Sequence, residues 1–208
     1  NILTILDLAG IPFRSAERRE EDPLIVAGGI GALAPEPLAP FFDAFMVGDG
    51  EVLIPEVLET LHETKGSDRA KKLEALSKIE GVYVPMIHGR EKTIRRRIVE
   101  DLDAAYYPDK MIVPNGKITH DRATLQGFKG CTRGCRFCQA GTIDRPLRAR
   151  SAESACEELK KLLASTGWEE VGLLSLATCD WSGLTDAIER LKPLLDEKRI
   201  KISLPSLR

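Results

Sequence analysis

At 208 residues and 23.0 kDa, with 43% apolar and 30% charged residues, the chain has the make-up of a folded globular protein and not of a disordered or collagen-like one. A formal net charge of −2 gives no bulk attraction for a polyanion. No apolar run approaches the roughly 20 residues that span a bilayer, and five unevenly spread cysteines do not make a disulfide scaffold, so the expected setting is a reducing cytoplasm without membrane attachment.

In chain order, Ile2, Leu3, Leu6 and Ala9 follow helical spacing, and Gly10 with Pro12 ends that pattern. Leu24–Ala27 and Ala44–Val47 are short apolar runs that read as buried parallel strands. Each feeds a glycine turn, Gly28-Gly29 after the first and Gly48 with Gly50 after the second. Leu53, Val57, Leu58 and Leu61 then predict an amphipathic helix with Pro55 in its first turn. Together residues 1–65 read as the C-terminal part of a doubly wound α/β domain, whose ligand edge is the carboxyl end of its strands. The glycines there admit two readings, as ligand-contacting turns or simply as turns that need a positive φ.

Residues 66–120 read as a connecting segment, with a short helix at Leu73, Leu76 and Ile79 and strand fragments at Val82–Val84, Ile94 and Ile98. The run Arg95-Arg96-Arg97 raises a nucleic-acid partner. Its flanking Glu91, Glu100, Asp101 and Asp103 favour a solvated or salt-bridged strand face instead. His62 and His88 are expected at the surface.

Residues 121–208 carry a βαβαβ pattern: a strand at Leu125–Phe128, a helix capped by Ser151 and ending before Gly167, a strand at Val171–Ala177, a helix at Leu184–Leu195 kinked by Pro193, and a strand at Ile200–Leu204. Such alternation argues for a parallel sheet or barrel with right-handed crossovers. Cys156 lies on the apolar stripe of the first helix and is expected to be a small core residue. The sequence opens on Asn1 inside a helical pattern and closes at Arg208 just after a strand, as expected for a piece of a longer protein.

Between the first strand and the first helix of that pattern lies GCTRGCRFCQAG, Gly130–Gly141. It sets Cys131, Cys135 and Cys138 in the spacing C-x3-C-x2-C within a glycine-rich loop. Three soft thiolates converging on one centre select an iron-sulfur cluster, zinc or copper over hard cations. A three-cysteine set leaves one coordination position to another ligand. His120 is the histidine nearest the loop, so a zinc-stabilised Cys3His binding module is the alternative from a different class.

The C-x3-C-x2-C spacing with Phe137 before the last cysteine resembles the cluster loop of radical S-adenosylmethionine enzymes. The longer string GCTRGCRFCQAGTIDRPLRARS, with PLIVAGG and FMVGDGE upstream, is similar to a bacterial subgroup in which a cobalamin-binding-type domain precedes the radical barrel. The resemblance implies a [4Fe-4S] cluster on Cys131, Cys135 and Cys138, whose fourth iron takes the amino and carboxylate groups of S-adenosylmethionine. It implies reductive cleavage of that cofactor to a 5'-deoxyadenosyl radical, with an external electron donor such as flavodoxin or ferredoxin.

It further implies cobalamin as a second cofactor near Gly28, Gly29, Gly48 and Gly50, methyl transfer as the reaction, and residues 121–208 as the N-terminal half of a βα barrel. Phe137, Thr178, Asp180, Ser203 and Arg208 are the candidates for contact with S-adenosylmethionine. A third reading is a methylthiotransferase-like radical enzyme acting on RNA or protein. That class carries a further cysteine-bound cluster in the preceding domain, and no cysteine precedes Cys131 here.

Overall fold

The computed structural model describes residues 1–204, and the chain divides into two units, Asn1–Val99 and Glu100–Arg208. Arg208 therefore lies outside the described residues.

The first unit begins with α1 (Ile2–Leu8), which buries Leu6. Strand β1 (Val26–Ala27) runs parallel to β2 (Ala44–Met46), with Val26 opposite Ala44 and Ala27 opposite Phe45. Pro35, Pro37 and Pro40 lie between these strands and each withholds an N–H. That connection forms 3-10 turns at Ile30–Leu33 and Ala39–Phe41. Helix α2 (Gly50–Glu63) starts at Gly50 itself, so Pro55 lies inside the helix and not in its first turn. The helix buries Leu53 and Val57, while Leu58, expected on that face, is 60% exposed.

Helix α3 (Arg69–Ser77) is capped by Asp68, whose carboxylate accepts the Lys71 N–H at 2.7 Å. Strand β3 (Val82–Tyr83) then pairs antiparallel with β2, so the sheet, in the order β1-β2-β3, is mixed and not wholly parallel. The short α4 (Pro85–His88) follows. His88 is half-buried, contrary to expectation: its Nδ1 accepts the Val84 N–H at 3.1 Å and its ring stacks on Tyr83. Residues 94–98 form no strand of their own, apart from a single parallel bridge between Arg97 and Gly48.

Asp43 is the polar centre of this unit, at 0% exposure between Phe42 and Ala44. Its Oδ2 accepts the Ile25 N–H at 2.7 Å and Arg18 Nη1 at 2.8 Å, and Arg69 Nη2 stands 2.6 Å from Oδ1. Arg18 spends its other donors on the Pro12, Phe13 and Phe41 carbonyls. A buried carboxylate is tolerated only with such a set of partners.

In the second unit the expected strand at Leu125–Phe128 breaks in two. Strand β4 (Ala123–Gln126) joins the main sheet, and β5 (Phe128–Lys129) turns away to pair with β6 (Arg148–Ala149), before and after the short α5 (Ala140–Ile143). The break falls at Gly127, where the Trp181 ring packs so closely that a Cβ would meet it at 2.9 Å. Helix α6 (Ala152–Thr166) has the predicted limits: Ser151 Oγ accepts the Ser154 N–H at 3.1 Å, and Gly167 closes it in the left-handed region at φ 72°. Strand β7 (Glu170–Leu174), α7 (Leu184–Lys198) with Pro193 inside it, and β8 (Lys201–Ser203) complete the unit.

The main sheet is parallel throughout in the order β4-β7-β8, with Leu125 opposite Leu173 and Val171 opposite Ile202. One core holds Ala123, Leu125, Val171 and Leu173 together with Ala155, Leu159, Ala187 and Leu191 of the helices. Each fully buried leucine there contributes roughly 1.5–3 kcal/mol. Cys156 belongs to this core at 3% exposure, and burial pushes its thiol up from the ordinary value. Helices thus cover one face of the sheet. Thr124 and Leu174, on the other face, are exposed.

Candidate metal centre

The cysteine loop hangs between β5 and β6. Gly130 opens it at φ 86°, where a Cβ would lie 2.6 Å from both the Asp144 and Pro146 carbonyl oxygens, so only glycine lets the outgoing and returning chains pass this closely. Cys131 is buried at 7% exposure, while Cys135 and Cys138 are half-buried. Two of the three sulfurs already receive backbone N–H groups: Arg133 N–H points at Cys131 Sγ at 3.5 Å, and Gly141 N–H, in the first turn of α5, at Cys138 Sγ at 3.3 Å. Hydrogen bonds of this kind tune a bound cluster.

Arg133 also reaches across to the 3-10 turn Thr178–Asp180 that follows β7. Its Nε donates to Asp180 Oδ2 at 2.6 Å, and its Nη2 donates to Oδ1 of the same carboxylate. That hydrogen bond, then the charge behind it, holds the guanidinium above its ordinary value, with smaller pulls from Cys131 and Cys135. The turn is itself fixed. Thr178 is 1% exposed and its Oγ1 accepts from Ser175, while Trp181 Nε1 donates to the Arg150 carbonyl at 2.9 Å just beyond β6. The backbone N–H of Arg150 in turn donates to Gly127.

These contacts place the predicted site residues unevenly. Thr178 and Asp180 stand in the turn that reaches the cysteine loop, and Asp180 is engaged there by Arg133. Phe137, between Cys135 and Cys138, is 91% exposed. Ser203 is drawn elsewhere, since its hydroxyl accepts from Arg122 Nη1 at 3.3 Å just before β4. His120 lies beside it: Arg122 Nη2 donates to its Nδ1 at 2.9 Å. Both are thus tied to the start of β4, and the cysteines follow its far end, about 13 Å away at 3.3 Å per residue. This removes His120 as a partner of the three thiols.

A cavity of about 580 Å³ lies on the face of the sheet away from the helices, lined by Met111, Ile118, His120, Arg122, Thr124 and Leu174 among others. It adjoins the Arg122 cluster and not the cysteines.

In the first unit, Gly28 and Gly29 follow β1, and Gly48 and Gly50 follow β2, so all four sit at the carboxyl end of the parallel pair. Gly48 has a cause within the chain: at φ 147° a Cβ would lie 2.1 Å from the Arg97 carbonyl oxygen, whose backbone bridges to it. Gly50 is the first residue of α2. Arg95, Arg96 and Arg97 pair with Glu80, Asp49 and Glu56 respectively, so the run is ion-paired, but these partners are not the flanking acids that suggested it.

No three Cys, His, Asp or Glu side chains among the described residues are gathered around a point that would suit one metal ion. A cubane cluster asks less of the loop, since each cysteine binds a different iron and the sulfurs stand apart. The donor set is all thiolate, lies in a single loop, and has backbone N–H groups already directed at its sulfurs. It fits an iron-sulfur cluster.

Sequence reasoning named Asp180 as a cofactor contact but missed the contacts that hold this loop. The Arg133–Asp180 and Trp181–Arg150 contacts join positions 47 and 31 residues apart. Only the unusual presence of a tryptophan immediately after the polar Thr178–Asp180 hinted at an anchor.

Comparison with known proteins agrees at the level of class. A family profile described as "Radical SAM proteins, N-terminal" matches residues 1–85. That match ends well before Cys131, so it supports the radical S-adenosylmethionine family independently of the cysteine spacing. More particularly, the chain is 29% identical over 154 residues to the ribosomal protein uS12 methylthiotransferase RimO of Desulfotalea psychrophila, covering 74% of this chain and 32% of that protein. It is also 26% identical over 206 residues to an uncharacterized protein of Methanocaldococcus jannaschii, covering 94% of this chain and 40% of the relative. The chain thus spans about a third to two fifths of the length of these curated relatives. No helix among the described residues is long and apolar enough to cross a membrane.

Proposed function

We propose that this chain carries the cluster-binding part of a radical S-adenosylmethionine iron-sulfur enzyme. The observation that carries the reading is the cysteine loop itself: three thiols in C-x3-C-x2-C spacing, two of them facing backbone N–H groups. In this reading Cys131, Cys135 and Cys138 each hold one iron of a [4Fe-4S] cluster, and S-adenosylmethionine takes the fourth. When bound, the cluster supplies the electron for reductive cleavage of that cofactor. The chain's own contribution is to aim backbone N–H groups at the sulfurs of Cys131 and Cys138, to seat Cys131 away from water, and to present Phe137 as an exposed aromatic surface.

For the group transferred, the RimO relative favours a methylthiotransferase-like enzyme. The absence of any cysteine before Cys131 in this sequence weighs against a second cluster of that kind within residues 1–130. Cobalamin-dependent methyl transfer rests on the resemblance at Gly28, Gly29, Gly48 and Gly50, of which Gly48 already has a packing cause.

Anaerobic reconstitution of the chain with iron and sulfide tests the proposal. Close to four irons per chain are expected, falling steeply in Cys131→Ala, Cys135→Ala and Cys138→Ala and not in Cys156→Ala. Stoichiometric zinc without iron, or iron uptake indifferent to those three substitutions, would overturn it.

A further inference from the structure

We propose that Arg133 and Asp180 are positioning residues: a two-pronged latch that fastens the cysteine loop to the turn after β7 and so sets the environment of Cys131. Arg133 acts at both ends of one residue. Its backbone N–H points at Cys131 Sγ, and its guanidinium grips Asp180 through Nε and Nη2. A bidentate guanidinium–carboxylate pair fixes orientation as well as distance, which a single hydrogen bond does not.

The grip is useful only if Asp180 is itself held, and it is. Its turn is anchored on one side by buried Thr178 and on the other by Trp181, at 4% exposure and bonded to the Arg150 carbonyl. Arg150 adjoins β6, the strand that pairs with β5 on the entry to the loop. The latch therefore closes a ring of contacts from β5 through β6, Arg150, Trp181 and Asp180 back to Arg133. Alternative roles fit less well, since an Arg133 serving only as a solvated counter-charge to the thiolates would have no need of a carboxylate that neutralises it.

The inference rests on the loop's being a cluster loop only in its consequence for the metal; the latch itself is read on the thiols alone. The experiment accordingly has two readouts. In the apo chain, alkylation of each cysteine by iodoacetamide is followed by mass spectrometry. In the reconstituted chain, iron retention and the midpoint potential of the cluster are measured.

Arg133→Ala and Asp180→Asn are expected to keep the wild-type circular dichroism spectrum and to raise the alkylation rate of Cys131 about two- to fivefold, the range open to a partly exposed pair. Cys156 should be unchanged, and Arg133→Lys should recover part of the protection. The two disabling variants should lose iron faster and shift the potential together. Cys131 alkylation at the wild-type rate in both variants would overturn the latch. If wild-type chain takes up no iron while the alkylation differences persist, the cluster reading falls and the latch stands.

Discussion

Replacing Asp43 by alanine removes the carboxylate at 0% exposure on which Arg18 and Arg69 converge. The Arg18 side chain is also fully buried, so it cannot turn to water, and its remaining partners are three carbonyl oxygens that carry no charge. Breaking a buried pair by removing one member costs about 3–5 kcal/mol, because it strands the other charge. The Ile25 N–H loses its acceptor as well. For a unit of this size each kcal/mol moves the midpoint by roughly 4–8 °C, so a fall on the order of 20 °C is expected.

Thermal and urea unfolding followed by far-ultraviolet circular dichroism would measure it. The double variant Asp43→Leu with Arg18→Met should be less damaged than Asp43→Ala, because it leaves one charge fewer without a partner. An Asp43→Ala chain within about 1 kcal/mol of wild type would refute the reasoning, since it would mean that the guanidinium groups reach solvent or another anion.

Burial pushes the Glu158 carboxyl up to about 7 against the pull of Arg150, with which it forms a buried ion pair. A carboxyl raised in the folded state contributes stability that is complete below its ordinary value near 4.5 and is lost as pH rises through about 7. The second unit should therefore weaken between about pH 4.5 and about pH 7, and Glu158→Gln should flatten that dependence in denaturant titrations; an unchanged slope would reject it. Ser151→Ala removes the cap of α6 and should cost about 1 kcal/mol, read as a lower urea midpoint with unchanged slope.

Elements whose cause is local were legible in the sequence. The limits of α6 follow from a serine and a glycine at its ends and lie where the pattern puts them, whereas β7 stops at Leu174, short of the expected Ala177. The packing of Cys156 follows from its stripe position, whereas the arginines at 95–97 are paired as expected but with acids distant in sequence. What escaped depends on partners distant in sequence. A strand at Val82–Val84 was legible, but its place in the first sheet was not, because that depends on pairing with Phe45 and Met46. The expected strand Leu125–Phe128 breaks at Gly127, where Trp181 arrives from 54 residues away in the chain.

At the site, spacing alone revealed the three cysteines, but Ser203 and His120 looked equally available and are both tied to Arg122. Asp43 did leave a signal. A charge inside the run FFDAFMV has to be paired, and that rule would have found the hub though not its partners.

The β5–β6 pairing gives the cysteine loop the physics of a closed polymer ring. Everything from Gly130 to Leu147 is confined by two residue pairs, Phe128 with Ala149 and Lys129 with Arg148. Closing a ring costs entropy once and grows only slowly with contour length, about 0.6 kcal/mol for each doubling. Extra residues beyond Cys138 would thus be nearly free, whereas loosening the Phe128 end would charge the whole closure cost to whatever binds the thiols. How closely the three sulfurs are held together thus depends on a two-rung ladder that lies outside Cys131–Cys138.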